Sequence, residues 1–411
     1  MGAKIVMEED QVKNNSKPYP LKNLVVLEAA QALAGPMIGT LLGDLGAKVI
    51  HIERPGVGDI GRRWIPKKKD LSYYFAVINR NKKSVTLKLD HAQGREIFLK
   101  MVKKADVLIE NFRPGVVKKW GIDYSKVKDI NPKIIYCHVS GYGQDGPYRD
   151  RAAFDQVIQG EAGIISYTGT KEIPCKVNVP ITDYVAALYG TYAVLAALIK
   201  RQITGKGMEI DVSLFDCAVN LMLNLLNMSV VEGWDDSELR MGSKYCLATP
   251  YEPYLAGDNK YVNICIAIDS HWINFCKILE MEDLARDPRF ETNDKRLQNR
   301  DELERIILRK LKKRSAKEWI EIFNNAGIPC GAVNTIKEVL DHPQLKHRKT
   351  IQEIEYPGIG NIKMFNNPVK FSDFEIEITR PPQLGEHTRE ILKDLGYSDH
   401  DLNKFKENGV I

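Results

Sequence analysis

The sequence predicts an α/β fold with a mostly parallel sheet and a second, smaller α+β domain. Through the first half, short apolar runs alternate with helical patterns, which is typical of a parallel sheet covered by helices on both faces. This alternation stops near residue 232. With 411 residues and 44% apolar content, the chain is long enough to form two cores.

The chain opens with a strand–helix–strand pattern. An apolar run at residues 24–28 predicts a strand, and the small residues 29–35 predict a loop. Pro36 is suited to the first turn of the following helix because its fixed φ is already helical. That helix is predicted to pass through residues 37–45, and the run Lys48–Glu53 predicts a second buried strand.

The same alternation continues to residue 231. Strands are predicted at 84–90, 106–111, 133–140 and 208–212, and helices at 92–105, 116–120, 184–203 and 214–231. The apolar run at 184–199 is shorter than a bilayer requires, so it predicts a buried helix rather than a membrane span.

The smaller domain is predicted to follow a polar linker at 232–244. It contains a strand pair at 252–255 and 260–268, then helices at 272–279, 303–313 and 316–326. Residues 351–411 are too few for a separate core and are predicted to return to the large domain. The predicted division is therefore a loose leader at 1–20, the large domain at 21–231, linker and small domain at 232–345, and the return at 346–411.

Composition excludes several classes of protein. A net charge of +5 does not indicate a nucleic-acid binder. The first twenty residues lack the apolar segment of a secretory signal, and the seven cysteines form no Cys-x-x-Cys pair. We therefore expect a cytoplasmic protein without disulfides, and no histidine or cysteine spacing indicates a metal site.

The loop after the first strand has the setting of a phosphate-binding site, because a helix N-terminus follows it. Residues 32–39 do not match Gly-x-Gly-x-x-Gly, however, and Pro36 lacks an N–H donor. Glu53 lies about twenty residues further on, as a ribose-binding acid does, but this match is weak alone. A nicotinamide oxidoreductase is therefore disfavoured.

Basic residues gather in the loops of the first domain and suit a ligand with several phosphates. They are Arg54, Arg62, Arg63, Lys67, Lys68, Lys69, Arg80, Lys82, Lys83, Arg113, Lys118 and Lys119. Lys67 to Lys69 are more simply a solvated surface. Arg54 ends the second strand, where parallel sheets bind ligands, so we favour a functional role for it.

Seven sequence motifs occur in a fixed order along the chain, and together they indicate a protein family more specifically than any one of them does. They are LAGP at 33–36, GAKVIHIERP at 46–55, NRNKKS at 79–84, ADVLIENFRPG at 105–115, GYGQDGPY at 141–148, GIPCG at 327–331 and LGEHT at 384–388. With them, the chain resembles the family III CoA-transferases over residues 21–411. That group includes formyl-CoA transferase and carnitine CoA-transferase, and also the α-methylacyl-CoA racemases.

The resemblance implies a Rossmann-like large domain built from both ends of the chain, and an interlocked homodimer. It implies no permanently bound cofactor, with coenzyme A thioesters and a carboxylic acid as substrates. Coenzyme A would contact Leu33, Ala34, Arg54, Leu87, Asn111, Phe112, Arg113, Lys119 and Arg151. No nucleic acid or membrane partner is expected.

By the same resemblance, Asp183 is the catalytic nucleophile. From the residues alone, an aspartate before a long apolar helix is first of all a helix cap. Both roles are compatible, because the helix dipole keeps such a carboxylate ionised. The resemblance implies an aspartyl anhydride and then an aspartyl-CoA thioester. Asp155 and Gln31 are auxiliary candidates; Asp155 is equally a structural acceptor, and Gln31 equally an ordinary polar loop residue.

The resemblance also separates the branches of the family. The racemase branch carries Gly-His-Asp where this chain has Ala153, Phe154 and Asp155, so the imidazole that would move an α-proton is absent. The formyl-CoA branch carries Gln at the position of Leu33, so formyl transfer is disfavoured. We expect a transferase whose donor is succinyl-CoA or another dicarboxylyl-CoA, with a racemase-like isomerase as the alternative. A non-catalytic coenzyme A-binding protein is excluded only if Asp183 is functional.

Overall fold

The computed structural model describes residues 19–411, which form two compact units. The first comprises residues 19–154, Thr182–Cys217 and Lys349–Ile411, and the second Asp155–Ile181 and Ala218–Arg348. Residues 155–181 and 218–231, within the predicted large domain, are thus grouped with the second unit. All but the last two residues of the predicted leader lie outside the described residues.

The elements up to the end of the eighth strand are as follows. They are β1 (Val25–Ala29), α1 (Ala34–Asp44), β2 (Lys48–Glu53), β3 (Lys67–Lys68), β4 (Leu71–Ser72), α2 (Tyr73–Ile78), β5 (Lys82–Thr86), α3 (Ala92–Val102), β6 (Val107–Glu110), α4 (Val116–Trp120), α5 (Tyr124–Ile130), β7 (Ile135–Ser140), α6 (Asp155–Glu161), α7 (Ile164–Tyr167), α8 (Ile181–Thr204) and β8 (Met208–Ser213). A 3₁₀ helix lies at Ile60–Arg63.

The remaining elements complete the second unit and return to the first. They are α9 (Leu214–Leu221), α10 (Leu223–Glu232), α11 (Asp236–Leu239), β9 (Tyr251–Leu255), β10 (Tyr261–Cys265), α12 (Asp269–Ile278), α13 (Asn293–Gln298), α14 (Arg300–Leu311), α15 (Ala316–Asn325), β11 (Cys330–Ala332), α16 (Ile336–Leu340), α17 (Pro343–His347), β12 (Ile351–Tyr356), β13 (Gly360–Phe365), α18 (Thr388–Asp394) and α19 (Asp399–Glu407). A second 3₁₀ helix lies at Glu282–Arg286.

The first unit is organised by a six-stranded sheet in the order β5-β2-β1-β6-β7-β8. Every neighbouring pair is parallel, which confirms the predicted parallel sheet. At its centre, Val26 pairs with Val49 on one side and with Val107 on the other. The chain reverses its direction of winding between β1 and β6, and such sheets bind ligands in the crevice outside the carboxyl ends of those two strands.

Both ends of the chain contribute to the core of the first unit. On one face of the sheet, Phe98 of α3 packs with Leu392 of α18 and Phe405 of α19, and all three are buried. The returning segment also bonds to β5, since Ser84 Oγ accepts from Gly385 N–H (2.8 Å) and Thr388 Oγ1 from Thr86 N–H (2.9 Å). The predicted return of residues 346–411 to the large domain agrees with these contacts.

Helix α8 lies on the other face of the sheet, next to α1. Its last turn is at the amino edge of the sheet, where Arg201 donates to Asp106 Oδ1 (2.9 Å) just before β6. Closer to the N-terminus of α8, Gly190 lies against Ile38 of α1 and against Val212, near the carboxyl end of β8. The helix therefore runs antiparallel to the strands. Its first turn projects past the carboxyl edge, because the seven residues from Gly190 to Asp183 add about 10 Å.

By length and composition alone, α8 is apolar enough to cross a membrane. In its most apolar window, 44% of the residues are buried within the protein, and core helices of soluble proteins share this composition. Gly190 packs on Ile38, so one face of the helix belongs to the core of the first unit, while side chains such as Tyr192 on another face are exposed.

The second unit contains an antiparallel three-stranded sheet in the order β11-β10-β9. The predicted strand pair is present as β9 and β10, whereas β11 was not predicted. The core beneath this sheet is aromatic and includes Trp272, Phe275 and Phe323, all buried. It is closed by helices α12, α14 and α15, which begin within three residues of their predicted positions.

Two classes of element differ from the sequence prediction. The single helix predicted at 214–231 is wrong, because α9 ends at Leu221 and α10 begins at Leu223. Neither proline nor glycine marks this break, so the apolar pattern runs through it. Short helices such as α2 were also missed, although Ser72 caps α2 by accepting from Phe75 N–H (3.2 Å).

Because α8 lies close to α1, we expect replacement of a glycine in α8 by alanine to lower the stability of the protein, although this substitution usually raises the stability of a helix. Gly→Ala in a helix interior normally stabilises by about 1 kcal/mol. For Gly190→Ala we expect destabilisation by about 1–3 kcal/mol, because the new Cβ would lie 2.4 Å from the buried Ile38 Cδ1. Urea unfolding followed by circular dichroism measures this. In Gly160→Ala, the matched control in α6, the nearest atom is at 3.7 Å and no loss is expected.

Candidate active site

The loops after β1 and β6 form the crevice where the sheet changes direction. They are tied directly to each other: Gln31 N–H donates to Asn111 Oδ1 and Asn111 Nδ2 donates to Gln31 O, both at 2.8 Å. Gly35, in the first turn of α1, fits this close packing, since a Cβ there would lie 2.6 Å from Ala30 Cβ and 3.3 Å from the Asn111 side chain. These contacts fix the position of the β1–α1 loop, and with it the N-terminus of α1, at the carboxyl edge of the sheet.

The predicted coenzyme A contacts are distributed along this edge. Arg54 follows β2, Leu87 follows β5, and Asn111, Phe112 and Arg113 follow β6; Leu33 and Ala34 start α1, Lys119 is in α4, and Arg151 is in the loop after β7. The side chains of Arg54, Arg113, Lys119 and Arg151 are exposed. Those of Leu33, Ala34 and Leu87 are buried, so a ligand would meet these three through the backbone. These contacts stay a prediction.

Three of the basic residues that the sequence offered for phosphate binding are used internally. Arg62 forms two bonds of 2.6 Å to Glu53, Arg80 donates to Asp44 (3.0 Å), and Lys82 Nζ donates to Glu28 (2.8 Å). Arg80 and Lys82 are buried and Arg62 nearly so. The grouping of these three as phosphate ligands is therefore wrong, whereas Arg54 and Arg113 face solvent.

Beneath the β1–α1 loop lies a cluster of buried charged side chains. Glu28, His51, Glu53, Asp59 and Lys82 all have fully buried side chains. His51 Nδ1 lies 2.7 Å from Glu28 Oε1, and Nε2 lies 3.5 Å from Asp59 Oδ2 and 4.0 Å from Glu53 Oε2. Glu53, weakly matched by its spacing to a ribose-binding acid, is thus turned inward and paired with Arg62.

The cluster shifts the pKa values of its members. Burial disfavours the charged form of His51, but the carboxylates of Glu53, Asp59 and Glu28 outweigh it and raise the pKa to about 9. Burial likewise opposes the charge of Glu53, yet Arg62, His51 and Ser84 lower its pKa to about 2. The stabilising effect of His51 is thus complete below its ordinary pKa of 6.5 and is lost as the pH rises through 9.

The loop after β6 is anchored in a similar way from the opposite face of the sheet. Glu110 Oε2 accepts from Phe112 N–H (2.7 Å), and Glu110 Oε1 contacts His138 Nδ1. His138 Nε2 in turn lies 2.9 Å from Glu209 Oε1. Burial disfavours the charge of His138, but Glu110 and Glu209 raise its pKa. His138 thus contacts the carboxyl group of Glu110, which fixes the backbone of Phe112.

Asp183 is the third residue of α8 and belongs to the first unit. It is half-buried, and its carboxylate lies within the first helical turn rather than at the cap position. A carboxylate in the first turn is stabilised in its ionised form by the helix dipole. Burial raises the pKa of the neighbouring Tyr184, and the Asp183 charge adds to this. The helix therefore presents a partly accessible carboxylate beyond the carboxyl edge.

The two auxiliary candidates have different surroundings. Asp155 starts α6 in the second unit, is buried, and its Oδ2 accepts from Gln159 Nε2 (2.7 Å). Gln159 also bonds to the backbone of Val177, which agrees with a structural role for Asp155. Gln31 is half-buried in the β1–α1 loop, where its backbone holds Asn111. Their catalytic roles stay predictions.

This arrangement provides a partly accessible carboxylate and a sheet edge of the kind that binds nucleotides. The exposed arginines and Lys119 along the crevice are suited to phosphate groups. Within residues 19–411, no group of three histidine, cysteine, aspartate or glutamate side chains is positioned to hold a metal ion. A carboxylate is one of the side chains that can act as a nucleophile, and this role for Asp183 stays a prediction.

These features define an α/β enzyme with a nucleotide-type crevice and a helix-borne carboxylate. The family model described as CoA-transferase family III matches residues 21–388, and the chain belongs to this family. It is therefore a CoA-transferase. The α/β fold class with a parallel sheet and the family expected from the motifs are confirmed.

Individual relatives agree with this family. Human succinyl-CoA:glutarate CoA-transferase is 34% identical over 97% of this chain and 91% of its own length. The acetyl-CoA:oxalate CoA-transferase of Acetobacter aceti is 35% identical over 92% of this chain and 96% of its own. A crystal structure of a CaiB/BaiF family protein from Brucella suis superposes with a TM-score of 0.81 and 36% identity, covering 92% of this chain and all of that one.

The buried cluster is the part of the site region that the sequence reasoning missed. Its signal was present: Glu28 ends an apolar strand, and His51 and Glu53 alternate with Ile50 and Ile52 within another. Charged residues at consecutive inward positions of a buried strand require partners of opposite charge. Lys82 and Arg62 were instead assigned to the ligand.

Breaking the Arg62–Glu53 pair tests how far the cluster determines stability. Arg62→Ala is expected to destabilise by about 3–5 kcal/mol, because it leaves the buried Glu53 carboxylate without its guanidinium partner. Denaturant unfolding at pH 7 measures this. Arg389→Ala is the matched control: its contact with Asp399 is exposed, so a loss below about 1 kcal/mol is expected. Equal losses in the two variants would contradict the account.

Proposed function

We propose that this CoA-transferase moves coenzyme A from a donor acyl-CoA thioester to an acceptor carboxylate through covalent intermediates on Asp183. The observation that carries the proposal is the position of that carboxylate, in the first turn of α8, which points past the carboxyl edge of the sheet. The exposed Arg54, Arg113 and Lys119 lie along the same edge and suit the phosphates of coenzyme A.

The reaction balances without any external energy source. Asp183 Oδ attacks the acyl carbon of the donor thioester and expels CoA thiolate, which forms a mixed anhydride. The thiolate then attacks the aspartyl carbonyl carbon, releases the donor acid and leaves an aspartyl-CoA thioester. The acceptor carboxylate expels the thiolate from this thioester to give a second anhydride. Attack of the thiolate on the acceptor's carbonyl carbon restores the Asp183 carboxylate. Backbone N–H groups near Asp183 would stabilise the tetrahedral oxyanions.

The proposed donor is succinyl-CoA or another dicarboxylyl-CoA, and the acceptor is a dicarboxylic acid. The human relative, named for succinyl-CoA and glutarate, supports both the donor and the acceptor. The relative from Acetobacter aceti, named for acetyl-CoA and oxalate, supports the acceptor alone. Both named acceptors carry a second carboxylate. A cationic side chain that binds this distal group would favour such acids over monocarboxylates.

The active enzyme is proposed to be a homodimer. One face of α8 carries a stripe of apolar side chains, Leu188, Tyr192, Ile199 and Ile203, each more than 60% exposed in the single chain. Their spacing of four, seven and four residues places them on one side of the helix. A contiguous apolar surface of this kind is typical of a subunit interface, and we assign it to a second copy of this chain.

Trapping the intermediate tests the role of Asp183. After the protein is mixed with succinyl-CoA and quenched with hydroxylamine, peptide mass spectrometry is expected to find the hydroxamate on Asp183. Asp183→Asn should show no adduct and lose at least about a thousandfold in kcat, because the covalent route is removed. Glu390→Gln is a matched control, since Glu390 is also in the first turn of a helix and pairs with Lys83 at the surface.

Other results would change this assignment. An adduct on Asp155, with Asp183 unmodified, would transfer the nucleophilic role to the second unit. Exchange of the α-proton with deuterated water and no adduct would instead support the racemase-like alternative.

The assignment of the α8 stripe predicts the effect of a charge at its centre. Tyr192→Glu is expected to convert the dimer to monomer, because it places a carboxylate in an apolar interface. Sedimentation velocity at micromolar concentration measures this. Lys200→Glu, an exposed position on the same helix, should leave the dimer intact. A wild-type protein that sediments as a monomer would contradict the assignment.

A further inference from the structure

The buried cluster under the β1–α1 loop contains more acidic than basic groups when His51 is left out of the count. Its carboxyl groups are those of Glu28 on β1, Glu53 on β2 and Asp59 after it, and its basic groups are Arg62 and Lys82. Burial lowers the pKa of Lys82, while the Glu28 carboxylate opposes this change. The adjacent Arg80 and Asp44 form a separate, balanced pair. With these groups in their usual charge states, one further proton makes the cluster neutral, which a buried group of charges requires. His51 is placed to hold that proton, because both of its ring nitrogens face carboxyl oxygens.

The contacts of the His51 ring agree with this charge count. Each ring nitrogen faces a carboxylate: Nδ1 faces Glu28 at 2.7 Å, and Nε2 faces Asp59 at 3.5 Å. A neutral imidazole has one bare nitrogen, whose lone pair would point at a carboxylate; an imidazolium has an N–H on both. Neither nitrogen has a well-aligned hydrogen bond within the described residues. Charge attraction therefore holds the ring in place.

Asp59 depends on His51 more than the other two acids do. Glu53 has the Arg62 guanidinium and Glu28 has the Lys82 ammonium, both within hydrogen-bond distance. Asp59 accepts only backbone N–H groups on Oδ1, and among the residues described its cationic contact within 4 Å is His51. Loss of the imidazolium charge would leave the Asp59 carboxylate buried without a counter-charge.

The cluster is bonded directly to the loop above it. Asp59 Oδ1 accepts from Ala32 N–H at 3.2 Å, and Ala32 has a left-handed backbone with φ 66°, which a residue with a Cβ adopts only when its surroundings impose it. At the other end of the loop, Lys82 Nζ donates to Pro36 O at 2.7 Å. Between these two anchors lie Leu33, Ala34 and Gly35, which form the start of α1.

We infer that protonated His51 is a positioning residue for coenzyme A: through Asp59 it fixes Ala32, and thereby the loop whose backbone meets the ligand. This inference rests on the proposed function, because it takes the β1–α1 loop as part of the coenzyme A site. His51 itself is fully buried and touches no substrate. Its effect is on the affinity for the ligand rather than on the covalent steps at Asp183.

A pair of substitutions separates a role of charge from a role of packing. His51→Gln removes the imidazolium, and Asp59→Asn in the same chain removes the carboxylate that depended on it, so the double variant is again neutral. The probe is desulfo-CoA, which lacks the ionisable thiol, and its Kd is measured by calorimetry with the full-length protein at pH 7.5. His400→Gln, at an exposed position, is the control for the substitution type.

We expect His51→Gln to weaken binding, with a Kd raised about tenfold. The double variant should have a Kd close to that of the wild type, because the effects of two coupled groups are not additive. Circular dichroism verifies that both variants are folded at the assay temperature. A double variant that binds no better than His51→Gln would overturn the inference, since packing alone would then explain the loss. A Kd unchanged in His51→Gln would overturn it as well.

Two further measurements use the wild-type protein. Nitrogen NMR of labelled histidines should show both His51 ring nitrogens protonated at pH 7.5, with the signal identified by its loss in His51→Gln. A single protonated nitrogen at that pH would overturn the inference even if the variants did not fold. If the wild type binds no desulfo-CoA, the proposed function itself fails; if it binds and His51→Gln binds equally, only the role of His51 fails.

Discussion

Burial of like charges constrains this structure more than any other interaction. Glu28, Glu53 and Asp59 lie together on the α1 side of the sheet with no access to water, so their charges must be balanced within the protein. Each balancing contact also fixes a piece of backbone. Arg62 bonds to Pro382 O of the returning segment at 3.2 Å, and Lys82 bonds to Pro36 O. Gly39 of α1 lies so close to the Glu28 carboxylate that no Cβ fits there.

These contacts determine the geometry of the carboxyl edge. The first loop is held from below by Asp59 and from the side by Asn111, while the loop after β6 is held by Glu110. Because buried groups hold both loops, the crevice between β1 and β6 exists before any ligand arrives. Helix α8 is fixed by Arg201 at one end and by Gly190 in its first half, so Asp183 projects on the same side. The proposed binding loops and the proposed nucleophile are therefore held by one framework of buried contacts.

Much of the first unit could be predicted from sequence, because apolar runs and small-residue loops mark parallel strands directly. The family could also be predicted, since seven motifs occur in order. The interior ion pairs could not: Arg62, Arg80 and Lys82 look like loop cations, and their partners are distant in sequence, as with Lys82 and Glu28. The break between α9 and α10 leaves no proline or glycine signal. The catalytic role of Asp183 was predicted from the resemblance alone, because in sequence this residue is indistinguishable from a helix cap, and it stays a prediction.

The central claim is that an acyl group and coenzyme A pass through the Asp183 carboxylate, and the fate of the acceptor's oxygen tests it most directly. The acceptor attacks the aspartyl thioester with one of its own oxygens, and that oxygen stays on Asp183 when the thiolate removes the acyl group. After a single turnover with an acceptor labelled with ¹⁸O in its carboxylate, the peptide that contains Asp183 should carry one heavy oxygen atom on that side chain. An unlabelled Asp183, together with labelled acyl-CoA product, would show that the acceptor attacks the donor directly and would contradict the account.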